Sequence, residues 1–260
     1  MSRRPRRASP SNTYRFFVAP TAIRGRDVYI DDGALLHQLG SVLRLQPADR
    51  IVLLDDTGSE YTVVIRSIGR QELTGYVDEC IPARGEPRLH LALYVALLKG
   101  DRFELVLQKG TELGASRFVP LITARSLADP ATGTTAARRE RWERIIRESA
   151  EQSRRGRLPV LAAPQPFRQA CIEATGAART MLLWEGQDAQ SLADALAAGH
   201  DDPRPLALFS GPEGGWTEDE VAAAIGYNIT LVSLGPRILR AETAPIAAAA
   251  AIFFGHGDLG

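Results

Sequence analysis

The 260-residue chain is 45% hydrophobic and 24% charged, enough apolar content to bury a sizeable core and enough length for two domains. Its 31 basic residues balance its 31 acidic ones, so no global field draws it to nucleic acid, and any such attraction has to be local. Its 2 cysteines are too few for a disulfide framework or a zinc site, its 4 histidines lack metal-ligand spacing, and no window reaches the roughly 18 apolar residues of a membrane span, so a reduced, cytoplasmic, metal-free protein is expected.

Residues 1–26 carry Arg3, Arg4, Arg6, Arg7, Arg15, Arg24 and Arg26 and no acidic residue, which suits contact with phosphate. No apolar signal-peptide core follows, and Met1 to Asn12 reads as a disordered basic tail. Because Lys99 and Lys109 are the only lysines, arginine is this chain's default cation and its presence alone argues little. From Tyr14 to about Ile81 the pattern is of short strands separated by Gly33, Gly58 and Gly69: Phe16 to Val18, Val28 to Ile30, Arg50 to Leu54, Tyr61 to Ile68 and Glu72 to Val77. Ala34 to Leu43 reads as one helix among them. A small, mostly antiparallel barrel is expected, with its domain at 13–80 and an interdomain linker at Cys80 to Pro87, where IPARGEP combines prolines, glycine and charge.

Beyond the linker the pattern changes to strand, helix, strand: Leu89 to Leu98, Asp101 to Leu113 and Phe118 to Ile122. That order implies a parallel crossover, and parallel sheets carry their loops to one edge, so residues 88–260 are expected as an α/β domain. Ser126 to Ala137 reads as a mobile polar loop. Arg138 to Arg155 reads as a helix with Trp142, Ile145, Ile146, Ser149, Ala150 and Ser153 on one face. Gln152, Arg154, Arg155 and Arg157 gather where that helix meets Gly156 and Pro159; the cluster suits either an RNA backbone and a flipped nucleotide or a favourable cationic helix C-terminus. A short helix is expected within 160–179, then a strand at Thr180 to Trp184.

The strongest signal lies in Leu206 to Phe254. Two apolar runs, Leu206 to Phe209 and Ile229 to Leu234, read as buried parallel strands, each ending in a glycine-proline loop before a helix. Open α/β sheets bind ligands at such loops. In SGPEGG, the glycines at 211, 214 and 215 let backbone groups lie against a ligand, and Thr217 with Glu220 forms a capping box that starts the next helix. The second loop, LGPRILRAETA, brings Arg237, Arg240 and Glu242 among apolar residues, then an alanine-rich helix that permits close packing. No GKS or GKT follows the first loop and no GxGxxG is present, which excludes a P-loop and a dinucleotide fingerprint; Ser210 lacks the GxSxG setting of a hydrolase nucleophile.

GPEGG followed about twenty residues later by LGPRILRAETA resembles the RsmE family of ribosomal RNA methyltransferases, of the SPOUT class. RFFV, HQLGSVLRLQPADRI, LLKGDRFELVLQKGTELGASRFVPL and ESAEQSRRGRLPVL resemble the family's other segments in the family's order. The family's usual threonine before the glutamate of the last loop is Ala241 here. The resemblance implies a SPOUT α/β trefoil-knot methyltransferase domain behind a PUA-like β-barrel, S-adenosyl-L-methionine as cofactor, the N3 position of a uridine in small-subunit (16S) ribosomal RNA as target, and a homodimer.

On that footing the cofactor is expected against Leu183, Trp184, Glu185, Ser210, Gly211, Pro212, Glu213, Gly214, Gly215, Leu234, Gly235, Ile238, Leu239, Arg240, Thr243 and Ala244. Methyl transfer from a sulfonium needs positioning, loss of the acceptor's proton and a cation for the developing imide anion. Arg240 is the first candidate for that cation and Arg154 the second; Glu242 either orients an arginine or accepts a proton. Arg240 with Glu242 also reads as a buried structural pair. RNA contacts are expected from Arg15, His37, Arg44, Gln152, Arg154 and Arg155. A non-catalytic ribosome-assembly protein and a methyltransferase of another RNA are the alternatives.

Overall fold

The computed structural model describes residues 14–126, 135–199 and 202–259. The basic tail and most of the polar loop after Ser126 lie outside the described residues. The chain divides into two compact units, one reaching to Glu86 and including Ala150–Arg157, the other made of Pro87–Ser149 and Leu158–Gly260. Grouping Ala150–Arg157 with the first unit is a tertiary fact that a linear reading of successive segments does not contain.

The first unit is built on a six-stranded sheet of β1 (Arg15–Phe17), β2 (Ile23–Arg24), β3 (Asp27–Ile30), β4 (Arg50–Leu54), β5 (Ser59–Ile68) and β6 (Leu73–Pro82), in the order β1-β4-β5-β6-β3-β2. All neighbours are antiparallel except β1 with β4. Alternation does the sorting: Val28 and Ile30 of β3 are buried while Tyr29 between them is exposed, and Leu73 and Val77 of β6 join Ile51, Leu53, Val63 and Ile65 in one core. Asp32 starts α1 (Gly33–His37) by accepting from the N–H groups of Ala34 and Leu35, and the chain widens into a π-helical turn over Gln38–Val42, so the expected single helix is split. The expected linker begins too early. β6 continues to Pro82 because its end pairs with the start of β5, Ser59 opposite Pro82, and a proline at a strand terminus forfeits no interior ladder bond.

The second unit is a parallel sheet. Its strands are β7 (Leu91–Ala96), β8 (Arg117–Ile122), β9 (Val160–Leu161), β10 (Gln165–Pro166), β11 (Arg179–Leu183), β12 (Gln190–Ser191), β13 (Leu206–Ser210) and β14 (Thr230–Ser233). The order is β10-β8-β7-β13-β11-β14-β12, with β9 also pairing β8. Its helices are α2 (Arg102–Leu113), α3 (Ala136–Gln152, whose last turn falls in the first unit), α4 (Phe167–Ala177), α5 (Leu192–Ala198), α6 (Glu218–Gly226) and α7 (Thr243–Gly255). The central strands are buried on both faces, as parallel strands covered by helices must be. Leu206 and Leu208 face one core with Phe103, Trp142, Ile252 and Phe253; Ala207 and Phe209 face the other with Phe167, Trp216 and Val221. Short elements β9, β10, β12 and α5 carry too little periodicity to be read in advance.

Cys171 of α4 is fully buried, and burial pushes its thiol up to about 12, whereas Cys80 is exposed. A maleimide titration near pH 8 is therefore expected to modify the native protein at Cys80 alone, Cys171 reacting only in denaturant. Equal labelling of both in the native state would contradict the packing of α4.

Candidate active site

The sheet places β11 between β13 and β14. The two glycine-proline loops thus follow strands that are successive apolar runs in the reading but not neighbours in space. Strand β11 separates them, and the loop that follows it is the central one. The three strand ends open on a pocket of about 390 Å³, within the usual range for a small-molecule site.

Each wall has a local cause. In the first loop the Gly215 N–H donates to the Pro212 carbonyl at 2.9 Å, and Gly215 itself sits at φ +70°, where a side chain is strained. Trp216 anchors that loop by donating its Nε1–H to the Leu183 carbonyl at 3.0 Å, and a Cβ at Gly211 would stand 3.0 Å from the Trp216 ring. Thr217 caps α6 in the expected box with Glu220, whose other oxygen accepts from the Ala124 N–H at 2.8 Å. The second loop turns through Gly235 at φ +98°. The pocket is lined by Leu183, Trp184, Glu185, Ser210, Gly211, Pro212, Glu213, Gly215, Leu234, Gly235, Ile238, Leu239, Arg240 and Ala244 from the expected set.

Two expected residues fall outside that lining. Gly214 points its carbonyl at Arg125, whose Nη1 donates at 2.8 Å, and Thr243 lines a separate groove with Lys109, Glu112, Leu113, Ile246, Ala247 and Ala250. Six lining residues were not in that set: Arg102, Trp216, Val232, Ser233, Ala241 and Arg237, the last expected only as part of its loop. Ala241, at the family's threonine position, is therefore a pocket wall. Arg102 comes from the start of α2, more than a hundred residues from the loops, and only its place in LLKGDRFE marked it.

The electrostatics also differ from expectation. Glu242 is 9% exposed and its ion-pair partner is Arg102, with Nε to Oε1 at 4.0 Å, in place of Arg240. Arg102 also donates through Nη1 to Glu213 Oε1 at 3.2 Å, and the Lys99 N–H donates to the same oxygen at 3.0 Å. Arg240 is exposed on the pocket wall, and among the described residues no carboxylate pairs with it. The reading of Arg240 and Glu242 as a buried pair is thus replaced by a Glu213–Arg102–Glu242 cluster.

Two of the proposed RNA contacts have other work. Arg155 is 2% exposed and grips Glu86 with both ends of its guanidinium, at 2.9 and 3.0 Å, while the Gly156 and Arg157 N–H groups donate to the same carboxylate. Burial that deep demands such pairing and leaves nothing for RNA. Arg15 is mostly buried against Glu60 at 3.5 Å. His37, Arg44, Gln152 and Arg154 are exposed, Arg154 with the left-handed φ of +63° that ends its helix.

A parallel α/β sheet with a pocket walled by loop backbone at three strand ends, preceded in sequence by a small β unit, defines a two-unit α/β protein of the class that holds ligands at strand ends. The comparisons make this specific. Residues 85–253 match the model of the RNA methyltransferase domain and residues 31–75 that of the RNA methyltransferase PUA domain; the chain belongs to this RNA methyltransferase family. It is 38% identical to the ribosomal RNA small subunit methyltransferase E of Synechocystis, over 92% of this chain and 77% of that one. It is 31% identical to the protein of that name from Bacillus subtilis, over 92% and 96%. Among solved structures, the Neisseria gonorrhoeae ribosomal RNA small subunit methyltransferase E, bound to S-adenosyl methionine, superposes with a TM-score of 0.83 at 29% identity, covering 94% of this chain and 98% of that one. A putative Legionella pneumophila methyltransferase in complex with the same cofactor gives 0.84 at 28% identity, with 94% and 98% covered.

Proposed function

We propose that the chain methylates the N3 position of a uridine in small-subunit ribosomal RNA, with S-adenosyl-L-methionine as donor. The observation that carries this is the pocket itself, which combines a backbone cradle, apolar walls and, in Arg240, an exposed arginine that pairs with no carboxylate among the described residues. The residues fit the cofactor. Gly211, Gly215 and Gly235 offer main-chain groups to an adenine, Leu183, Val232, Leu234 and Leu239 supply apolar cover, and Glu213 Oε2 is a buried acceptor with no donor among the described residues. The cofactor supplies an electrophilic methyl group; the chain's own part is to orient the acceptor base, exclude water and manage charge. Arg240 faces the pocket and stabilises the imide anion that develops at N3 and its flanking carbonyls. Glu242, one layer behind, acts through Arg102, and its own Oε2 has no partner among the described residues. His37, Arg44, Gln152 and Arg154 supply exposed contacts for RNA, and Arg154 remains the second candidate cation.

The proposal extends to a PUA-like RNA-binding segment at 13–80, a trefoil-knotted methyltransferase segment at 88–260, action in the cytoplasm where small-subunit RNA is assembled, and a homodimer. Support for the dimer comes from α7, where Ala247 and Ala250 border a groove with Leu113 and Ile246, and Phe254 is 72% exposed nearby. Incubation of undermethylated small subunits with protein and labelled cofactor, followed by nuclease digestion and mass spectrometry, is expected to yield N3-methyluridine; a methyl group at any other position would refute the target. Light scattering of the same preparation is expected to give twice the chain mass, and a fully active monomer would overturn the dimer.

A further inference from the structure

The Glu213–Arg102–Glu242 cluster is chemically unfinished. Arg102 spends Nη1 on Glu213 and faces Glu242 with Nε at 4.0 Å, too long for a hydrogen bond, so part of its donor fork stays open on a side chain that is 42% exposed. Glu213 is pinned through Oε1 by Arg102 and the Lys99 N–H, yet among the described residues its buried Oε2 meets no donor, and neither does Oε2 of Glu242. A buried carboxylate oxygen without a donor costs free energy until a ligand supplies one. Arg102 and Glu213 both line the pocket, and they are the oppositely charged lining residues that pair with each other. Such a pair, one side offering N–H donors and the other a free acceptor, complements a zwitterion.

We propose that Arg102 and Glu213 form a clamp for the amino-acid end of the cofactor: Glu213 Oε2 accepts from the α-ammonium and the open N–H groups of Arg102 donate to the α-carboxylate. Glu242 is a positioning residue that keeps Arg102 turned into the pocket. The inference rests on the reading that this pocket holds S-adenosyl-L-methionine, and it adds a role for Arg102 that the loop motifs do not contain.

Calorimetry on the full chain separates the two ideas. The probes are S-adenosylhomocysteine and methylthioadenosine, which share the nucleoside thioether but differ in the α-amino acid group. The wild type is expected to bind the first about a hundredfold or more tightly than the second, the effect of charge-assisted contacts in a desolvated site. Glu213→Gln is expected to weaken S-adenosylhomocysteine about tenfold or more while methylthioadenosine stays within about twofold. Arg102→Lys is expected to lose less than Arg102→Met, because it keeps the charge without the fork. Equal weakening of both probes by Glu213→Gln would mean that the loop had merely collapsed, and unchanged affinity for both would mean no contact; either result overturns the clamp. A wild type that binds neither probe would instead sink the pocket assignment, and the clamp with it.

Discussion

Arg240→Ala is expected to lower single-turnover methylation of small-subunit particles by about a hundredfold or more at saturating cofactor, with cofactor affinity nearly intact, as when a donor to a developing anion is removed. Arg240 lines the pocket and is exposed, and the carboxylate two residues on pairs with Arg102. Its removal therefore strands no buried charge, and the variant should fold as the wild type does. The other arginines are expected to fail in different ways. Arg154→Ala is expected to weaken RNA binding and flatten its salt dependence, because one fewer counterion is displaced. Arg155→Ala is expected to destabilise the first unit by about 3–5 kcal/mol, since Glu86 would be left with its charge uncompensated. Loss of cofactor binding in Arg240→Ala would convert Arg240 from a catalytic into a cofactor-binding residue. A fall only in the saturated rate for Arg154→Ala would show the two arginines in exchanged roles.

Gly215→Val is expected to abolish cofactor binding, a loss of about a hundredfold or more by calorimetry, because two effects act together. Gly215 lines the pocket at φ +70°, where a β-branched residue costs about 1–3 kcal/mol in backbone strain, and the added side chain would intrude on the wall against which a ligand lies. Gly214→Val is the internal control. Gly214 has no positive φ, does not line the pocket, and a Cβ there would meet Cβ and Cδ of Arg125 at 3.3 Å, a contact relieved by a shift of a few tenths of an ångström. It should bind within about threefold of the wild type. Full affinity in Gly215→Val would remove the first loop from the site, and an equal loss in both variants would point to the fold of the loop in place of its contact with a ligand.

The contrast between these neighbouring glycines separates what is local in this protein from what is not. GPEGG marks the loop as a place of backbone freedom, but which glycine bears the positive φ depends on how Trp216 and Arg125 fasten the loop from either side. The strands of both units, the capped start of α6 and the two ligand loops are legible because each follows from neighbours in the chain: apolar runs, a Thr-x-x-Glu box, glycine beside proline. Sequence by itself determined the parallel α/β class, the end of the sheet where the pocket lies and most of its lining.

Tertiary structure alone decided three further matters, all of them pairings across long stretches of chain. Strand β11 inserts between β13 and β14, so the loop after it is central to the site; strand order is a property of sheet assembly, and an apolar run carries no record of which neighbour it will take. Arg102 reaches Glu213 and Glu242 across 111 and 140 residues, which frees Arg240 for the pocket. Arg155, one of two adjacent arginines, is buried on Glu86 while Arg154 beside it is exposed. A charge shows in a sequence, but its partner does not, because ion pairs form between side chains that folding brings together and the choice among many carboxylates is made by geometry.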